Sequence, residues 1–484
     1  MASESRASNR GPARVEPYSV VSPVNGRVIA QVPLWDAEAI AAQLGATTAA
    51  SSRQPLDEAL VLAFLRRFEA EVAASREQLV ESTVLETGFI VEHSREIVDG
   101  AIEFLRDFER HTRAQSPRKS RAPHSYSSAS DREMAITHRP YRWVGAMVPQ
   151  NASFTLAITI IASALYAGAR VLVRPSLQCG ATAALLAEMV ERSRPPDGSV
   201  LIVNSLAKDF LSACHASDEV ELIHYIGSNQ YALSVFVESF AAKKMCLLDG
   251  QGNGMLYVDR GFPVEEAVRL IVSGATRYNG ETCTSVNGVL VNERDYPAVR
   301  DGLVEAFGRL RVGDPNAPDT EIGPLFSRPQ TEELVAALRG NDSHRVLCGG
   351  TAFGAYLAPA VVEGVRPDDR LVREGVFGPA VWIQPVREEE LPRWLRANTF
   401  PLSDTILTER REQVSAFALN SRAARICVNV DPAVESMFEP WGGYPPSGLN
   451  PVSIWIDKYR RAYQLDGPSR MLRQPRVARG RRRA

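Results

Sequence analysis

Three short segments bring together residue types that can do chemistry. In Tyr278-Asn279-Gly280-Glu281-Thr282-Cys283-Thr284-Ser285 a thiol sits in a glycine-containing turn, flanked by the hydroxyls of Thr282 and Thr284, just before the apolar run Val286 to Val291. Such a thiol can serve as a nucleophile whose oxyanion is met by the amides of its own turn. A cysteine can equally be a small buried hydrophobe. Val148-Pro149-Gln150-Asn151 closes another apolar run. The Asn151 amide can hold a carbonyl oxygen as it gains charge, or it can satisfy its own turn. Gly227-Ser228 follows Tyr225-Ile226 where a strand should pass into a helix. The pair can offer N–H groups and a hydroxyl to a diphosphate, although an ordinary Ser N-cap explains it as well.

The elements that must position these segments are legible in outline. From Val20 a strand, a turn at Pro23-Val24-Asn25-Gly26 and a second strand follow one another, and residues 56–113 have the periodicity of two helices broken at Gly88. Beyond them come strand 142–148, helix 156–166, strand 169–173, helix 180–193, strand 200–203, helix 207–215, strand 220–226 and a helix from 229. This alternation with near-continuous apolar strands predicts a parallel sheet covered on both faces. A second alternating region runs from Gly254 to about Pro432, and Ser453 to Gln464 reads as an edge strand. The stretch Gln115 to Asp131, rich in Ser, Arg and Pro, has no core of its own and reads as a loop or arm.

Composition bounds the answer further. The chain has 484 residues, enough for about three domains. Its six cysteines are widely separated, which fits neither a disulfide framework nor a zinc knuckle, and the seven histidines are equally scattered. The apolar stretch Phe154 to Ala169 is too short for a membrane span. Net charge is −2, yet residues 470–484 carry seven arginines and no acid, leaving −9 for the rest. An Arg-rich tail on an acidic body is expected to be a solvated extension rather than a nucleic-acid site. A cytoplasmic, metal-free protein with no membrane or nucleic-acid partner is expected. Neither GxGxxG nor GxxxxGK[ST] occurs, so any nucleotide site must be built differently.

Taken in order, these segments make the chain resemble the aldehyde dehydrogenase superfamily from about Val20 to about Gln464. Ser22-Pro23-Val24-Asn25-Gly26-Arg27 is similar to the family's opening hairpin and Leu85-Glu86-Thr87-Gly88 to its "LETG". Val144 to Asn151 is similar to "VGAITPWN", Val173-Arg174-Pro175-Ser176 to "VLKPS", Gly227-Ser228 to "FTGS" and Gly280 to Cys283 to "GQxC". Arg311 to Pro315, Ile322 to Leu325, Val376-Phe377-Gly378-Pro379 and Pro440-Trp441-Gly442-Gly443 match almost verbatim.

The resemblance implies an α/β protein of three parts, preceded by a flexible leader (1–17) and followed by a basic disordered tail (470–484). A Rossmann-type cofactor domain would comprise 18–113 and 135–248, an α/β catalytic domain 249–441, and a small β oligomerisation arm 114–134 with 450–469. The arm implies a homodimer or homotetramer. The resemblance also implies NAD(P)+-dependent oxidation of a small aldehyde to an acid through a Cys283 thiohemiacetal and thioester, with Asn151 and the Cys283 N–H holding the oxyanion. NAD or NADP would lie against Val148, Pro149, Gln150, Arg174, Ser176, Gly227, Ser228 and Phe377. The aldehyde would meet Gln150, Thr282, Thr284 and Trp441.

The departures from the family pattern carry information of their own. Where the family has a Glu in "LELGG" as base, alignment on Lys244 and Gly250 places Leu248, whereas the spacing from Cys283 lands on Asp249. Either Asp249 serves as the base, acting through a water, or the base is lost. Leu177 stands where a carboxylate grips the adenosine ribose, and Gly375 where another holds the nicotinamide ribose. Losing the first makes a 2′-phosphate tolerable beside Arg174. Gln150 replaces a common Trp and makes the pocket more polar. Two other outcomes stay open: release of the thioester to coenzyme A or the reverse acyl reduction, and a non-catalytic homologue that serves as a binding or scaffold protein.

Overall fold

A computed structural model describes residues 15–50, 54–115, 121–122, 132–340 and 343–468. Two seven-stranded sheets dominate it. The first has five parallel strands with Trp143–Met147 in their middle, its five residues all buried. It is flanked in parallel by Arg170–Arg174 and Val200–Ile202 on one side and by Val220–Ile226 and Met245–Asp249 on the other. Burial on both faces is why these strands read as unbroken apolar runs. Helix Ser153–Ala167 covers one face and is buried almost all round, and it stops at Gly168, which takes φ 97° as its left-handed cap. Tyr225, Leu248 and Cys246 belong to the core on the other face, with Trp143 and Phe210.

The second sheet runs Arg345–Cys348, Ala360–Glu363, Ala380–Val386, Val286–Asn292, Gly254–Val258, Ser403–Leu407, Arg425–Val428. All pairs are parallel except the first. Its fully buried central strand, Val286–Asn292, starts three residues after Cys283.

The structure amends several boundaries. Strand Val15–Val21 pairs with Val28–Leu34, so residues 15–17 of the expected leader are already ordered in a strand, and residues 1–14 lie outside the described set. The region read as two helices contains three: Glu58–Ala74, Arg76–Thr87 and Val91–Gln115. The additional break falls at Ser75, whose N–H closes the first helix on Glu71 and Val72. Gly88, at φ 76°, makes the break that was expected. The terminal strand is two strands: Gly448–Ser453 extends the first sheet by pairing antiparallel with Met245–Asp249, and Arg460–Pro468 pairs over nine residues with Arg132–Pro140. A helical turn, Trp455–Lys458, separates them because Trp455, Ile456 and Tyr459 dip into the first domain's core. Arg121–Ala122 adds a third short strand to the Arg132–Pro140 pair. Residues 116–120, 123–131 and the basic tail lie outside the described residues. Among those described, no helix is long and apolar enough to cross a membrane.

Candidate active site

The turn that presents Cys283 is conformationally expensive and held from several sides. Tyr278, Asn279 and Gly280 are consecutive left-handed residues, with φ of 52°, 57° and 68°. A Cβ at Gly280 would stand 2.4 Å from the Gly378 carbonyl and 2.6 Å from that of Ala275, so only glycine fits. Buried Asn279, a residue type that tolerates this conformation, donates to the carbonyls of Gly88 (3.2 Å) and Pro324 (3.0 Å) and accepts from Gly323 N–H (3.0 Å). Three segments far apart in sequence thus close on the turn. The Tyr278 N–H donates to His93 Nδ1 at 3.3 Å, and burial pulls the His93 pKa down to about 4, which keeps that nitrogen an acceptor. Glu281 is buried, accepts from Phe326 N–H and Gln330 Nε2, and has its carboxyl pushed well up by burial.

Past the turn, Thr282 Oγ1 and Ser285 Oγ lie 2.7 Å apart and wrap the thiol-bearing residue. A Cβ at Gly252 would stand 2.0 Å from the Cys283 carbonyl, so the backbone of residues 250–252 passes directly beneath it. Cys283 is half-buried and opens onto a cavity of about 670 Å³. Burial first, then the Glu435 and Asp249 carboxylates, push its thiol pKa up, while Arg425 acts the other way. The remaining cysteines do not line this cavity; Cys246 lies in the opposite core, with its thiol pushed up by burial to about 11.

Asn151, Gln150, Thr282, Thr284, Phe377 and Trp441 all line the cavity with Cys283. Asn151 and Gln150 arrive at the carboxyl end of strand Trp143–Met147, where open parallel sheets place their ligand sites. Gln150 Nε2 donates to the Glu86 carbonyl (2.8 Å), and the Glu86 carboxylate in turn accepts from the Ala181 and Thr182 N–H groups at the start of helix Gly180–Ser193.

Pro149, Ile226, Gly227 and Ser228 belong both to this cavity and to an adjoining groove of about 980 Å³, so the two are continuous. Val148, Arg174 and Ser176 line the groove. Ser228 caps helix Asn229–Ala241, its Oγ accepting from Gln230 N–H at 3.2 Å, and the helix N-terminus faces the junction. A Cβ at Gly227 would come within 2.8 Å of the Tyr225 hydroxyl, which keeps the cradle open. Arg174 and Lys208 supply positive charge, and Ser212, His215, Ser234 and Glu238 add polar groups. Leu177 is buried behind the groove rather than on it. The volume, the cations and the helix terminus fit a dinucleotide. Sequence reasoning missed Lys208, Ser212, His215, Ser234 and Glu238, which come from helix faces and form no linear signature.

The carboxylate expected as base is placed differently from its neighbour. Leu248 points into the core on the far face, whereas Asp249 reaches the cavity wall. The two Asp249 oxygens are already engaged. Oδ2 accepts from His224 Nε2 (2.6 Å) and Asn450 Nδ2 (2.8 Å), and Oδ1 from Trp441 Nε1 (3.2 Å) and Asn450 Nδ2 (3.0 Å). Lys458 Nζ donates to the Trp441 carbonyl and to Asn450 Oδ1, both at 2.8 Å, and burial draws its pKa down to about 8. This network fixes Trp441, one wall of the cavity.

A family model described as the aldehyde dehydrogenase family matches residues 11–463. Among curated relatives, the chloroplastic betaine aldehyde dehydrogenase of Beta vulgaris is 22% identical, over 94% of each chain. Among solved structures, the glyceraldehyde-3-phosphate dehydrogenase GapN of Methanocaldococcus jannaschii, complexed with NADP, superposes with a TM-score of 0.85 at 21% identity, covering 94% of this chain and all of its own. The NAD+ complex of an aldehyde dehydrogenase from Bacillus cereus superposes with the same score at 22% identity, covering 94% of each chain.

Proposed function

The chain belongs to the aldehyde dehydrogenase family, and from that premise we propose that it oxidises a polar aldehyde to a carboxylic acid with NAD+ or NADP+, using Cys283 as nucleophile. The observation that carries the reading is the opening of the strained Cys283 turn into a cavity continuous with a groove lined by Arg174, Lys208 and a helix N-terminus. When bound, NAD(P)+ supplies the hydride acceptor. Arg174, Lys208 and the N-terminus of helix Asn229–Ala241 would hold its phosphates. The thiolate of Cys283 adds to the carbonyl carbon, and the Asn151 amide with the Cys283 N–H receives the oxygen's developing charge. Gln150 and the two threonines line the aldehyde's side, which favours a polar over an aliphatic substrate.

Asp249, with four hydrogen bonds accepted, serves in this reading as the anchor of Trp441. One observation favours a second outcome, release of the thioester to coenzyme A: neither Leu248 nor Asp249 offers an unengaged carboxylate to a water. Assaying the wild type with a panel of polar aldehydes, both nucleotides, and coenzyme A present or absent decides between them. Acid formation independent of coenzyme A supports the proposal, and turnover that requires coenzyme A replaces it. The sheet of Arg132–Pro140 and Arg460–Pro468, which leaves Ile136, Tyr463 and Leu465 exposed, supports assembly of two or four copies.

A further inference from the structure

The loop between strands Arg425–Val428 and Trp441–Gly443 contains no residue that the sequence marks as a site residue, yet it carries a second carboxylate to the thiol's cavity. Glu435 lines the same cavity as Cys283, and its side chain keeps 36% exposure there. The side chain of Thr284, the residue next to Cys283, is close enough to it to favour its charged form. Glu435 is also first among the charges that act on the thiol, ahead of Asp249.

The loop is built to hold it there. Arg425 donates to the Pro432 carbonyl (2.9 Å) and the Val434 carbonyl (3.0 Å), and pairs with Glu435 (3.4 Å) and Glu439 (3.6 Å). Pro432 seats against Gly274, where a Cβ would stand 2.7 Å from its ring. Within this frame Glu439 is tied to the Ser436 N–H, and Arg277 to Glu96. Leu248 has no carboxylate, and both oxygens of Asp249 are already engaged by His224, Trp441 and Asn450; Glu435 brings a carboxylate to the cavity of Cys283 and is held there by its ion pair with Arg425.

We propose that Glu435 is the general base of this enzyme, taking over the task for which Leu248 leaves no carboxylate. The inference rests on the Cys283 chemistry proposed above. Its carboxylate accepts the thiol proton as the sulfur attacks the carbonyl carbon, and it releases that proton to solvent. With NAD(P)+ bound, loss of the thiohemiacetal's hydride to it would leave a thioester; the Glu435 carboxylate then accepts a proton from water as the water oxygen attacks the thioester carbonyl, the C–S bond breaks, and the thiolate and the carboxylic acid part.

Hydrolysis of 4-nitrophenyl acetate reads this second half without any nucleotide. Nitrophenolate leaves as Cys283 is acetylated, and water then removes the acetyl group. In Glu435→Gln, intact-mass measurement should show an acetyl group accumulating on Cys283, lost about 100-fold more slowly than from the wild type. Glu435→Asp keeps the charge toward Arg425 but withdraws it by one methylene, and it should also deacylate more slowly; it carries the test if the Gln variant folds poorly. Deacylation at the wild-type rate in either folded variant overturns the proposal, as does a trapped acetyl in Asp249→Asn but not in Glu435→Gln. A wild type that never acquires the acetyl group on Cys283 overturns the nucleophile assignment itself, a result distinct from normal labelling with normal loss.

Discussion

Cys283 must ionise in a cavity where burial and two carboxylates oppose it, so its reactivity depends on where its proton can go. Replacing Cys283 with Ala should abolish aldehyde oxidation, by about a thousandfold or more. Cys246→Ala should leave it intact, because that thiol is in the opposite core; steady-state assays of both settle the pair. Nucleotide choice is the second residue-scale matter. With Leu177 buried and no carboxylate at that point of the groove, NADP+ should bind at least as well as NAD+. Arg174→Gln should weaken NADP+ by roughly 10- to 100-fold and NAD+ by less, the value of a charge-assisted hydrogen bond. Dissociation constants for both nucleotides check this, and a hundredfold wild-type preference for NAD+ would show the ribose site to be placed wrongly. His93 gives a pH signature. An unfolded chain protonates it near 6.5 and the folded site only near 4, so the unfolded state binds more protons between those values and stability falls as pH drops through them. Thermal melts of wild type and His93→Gln should converge across that window, by no more than about 3 kcal/mol.

At the scale of elements, the turn before Cys283 is the most demanding piece. Gly280→Ala adds a Cβ 2.4 Å from a carbonyl at φ 68°, and should lower the melting temperature markedly, costing about 2 kcal/mol or more, while crippling activity. An unchanged melt would contradict the geometry. Four parallel strands of the first sheet and Val286–Asn292 of the second were legible because burial on both faces leaves continuous apolar runs, and the Cys283 turn because glycine and hydroxyls interrupt them. The Ser75 break was hidden, since neither Gly nor Pro marks it and the helices on either side share one apolar rhythm. The terminal strand was overextended because Trp455 and Ile456 look the same in a strand as in a helical turn that buries them. Glu435 escaped notice because an acid in a loop has no signature until Arg425 is seen to fold that loop over the thiol.

At the scale of the whole molecule, the Arg460–Pro468 strand binds the chain's end to Arg132–Pro140 through a nine-residue ladder, leaving apolar side chains on a small sheet outside both cores. A homodimer or homotetramer is expected, and sedimentation at micromolar concentration should find no monomer. Asn450 answers Asp249 from 201 positions later in the chain, and strand Gly448–Ser453 covers an edge that strand Met245–Asp249 must otherwise leave open. During synthesis, therefore, the second sheet has emerged from the ribosome before the first is complete. Until then the nascent protein carries a bare strand edge and a carboxylate without its amide partner. The wall that Trp441 gives the thiol's cavity is among the last parts to be installed, so a chain cut short of residue 448 has every strand of its second sheet but no finished chamber for the reaction.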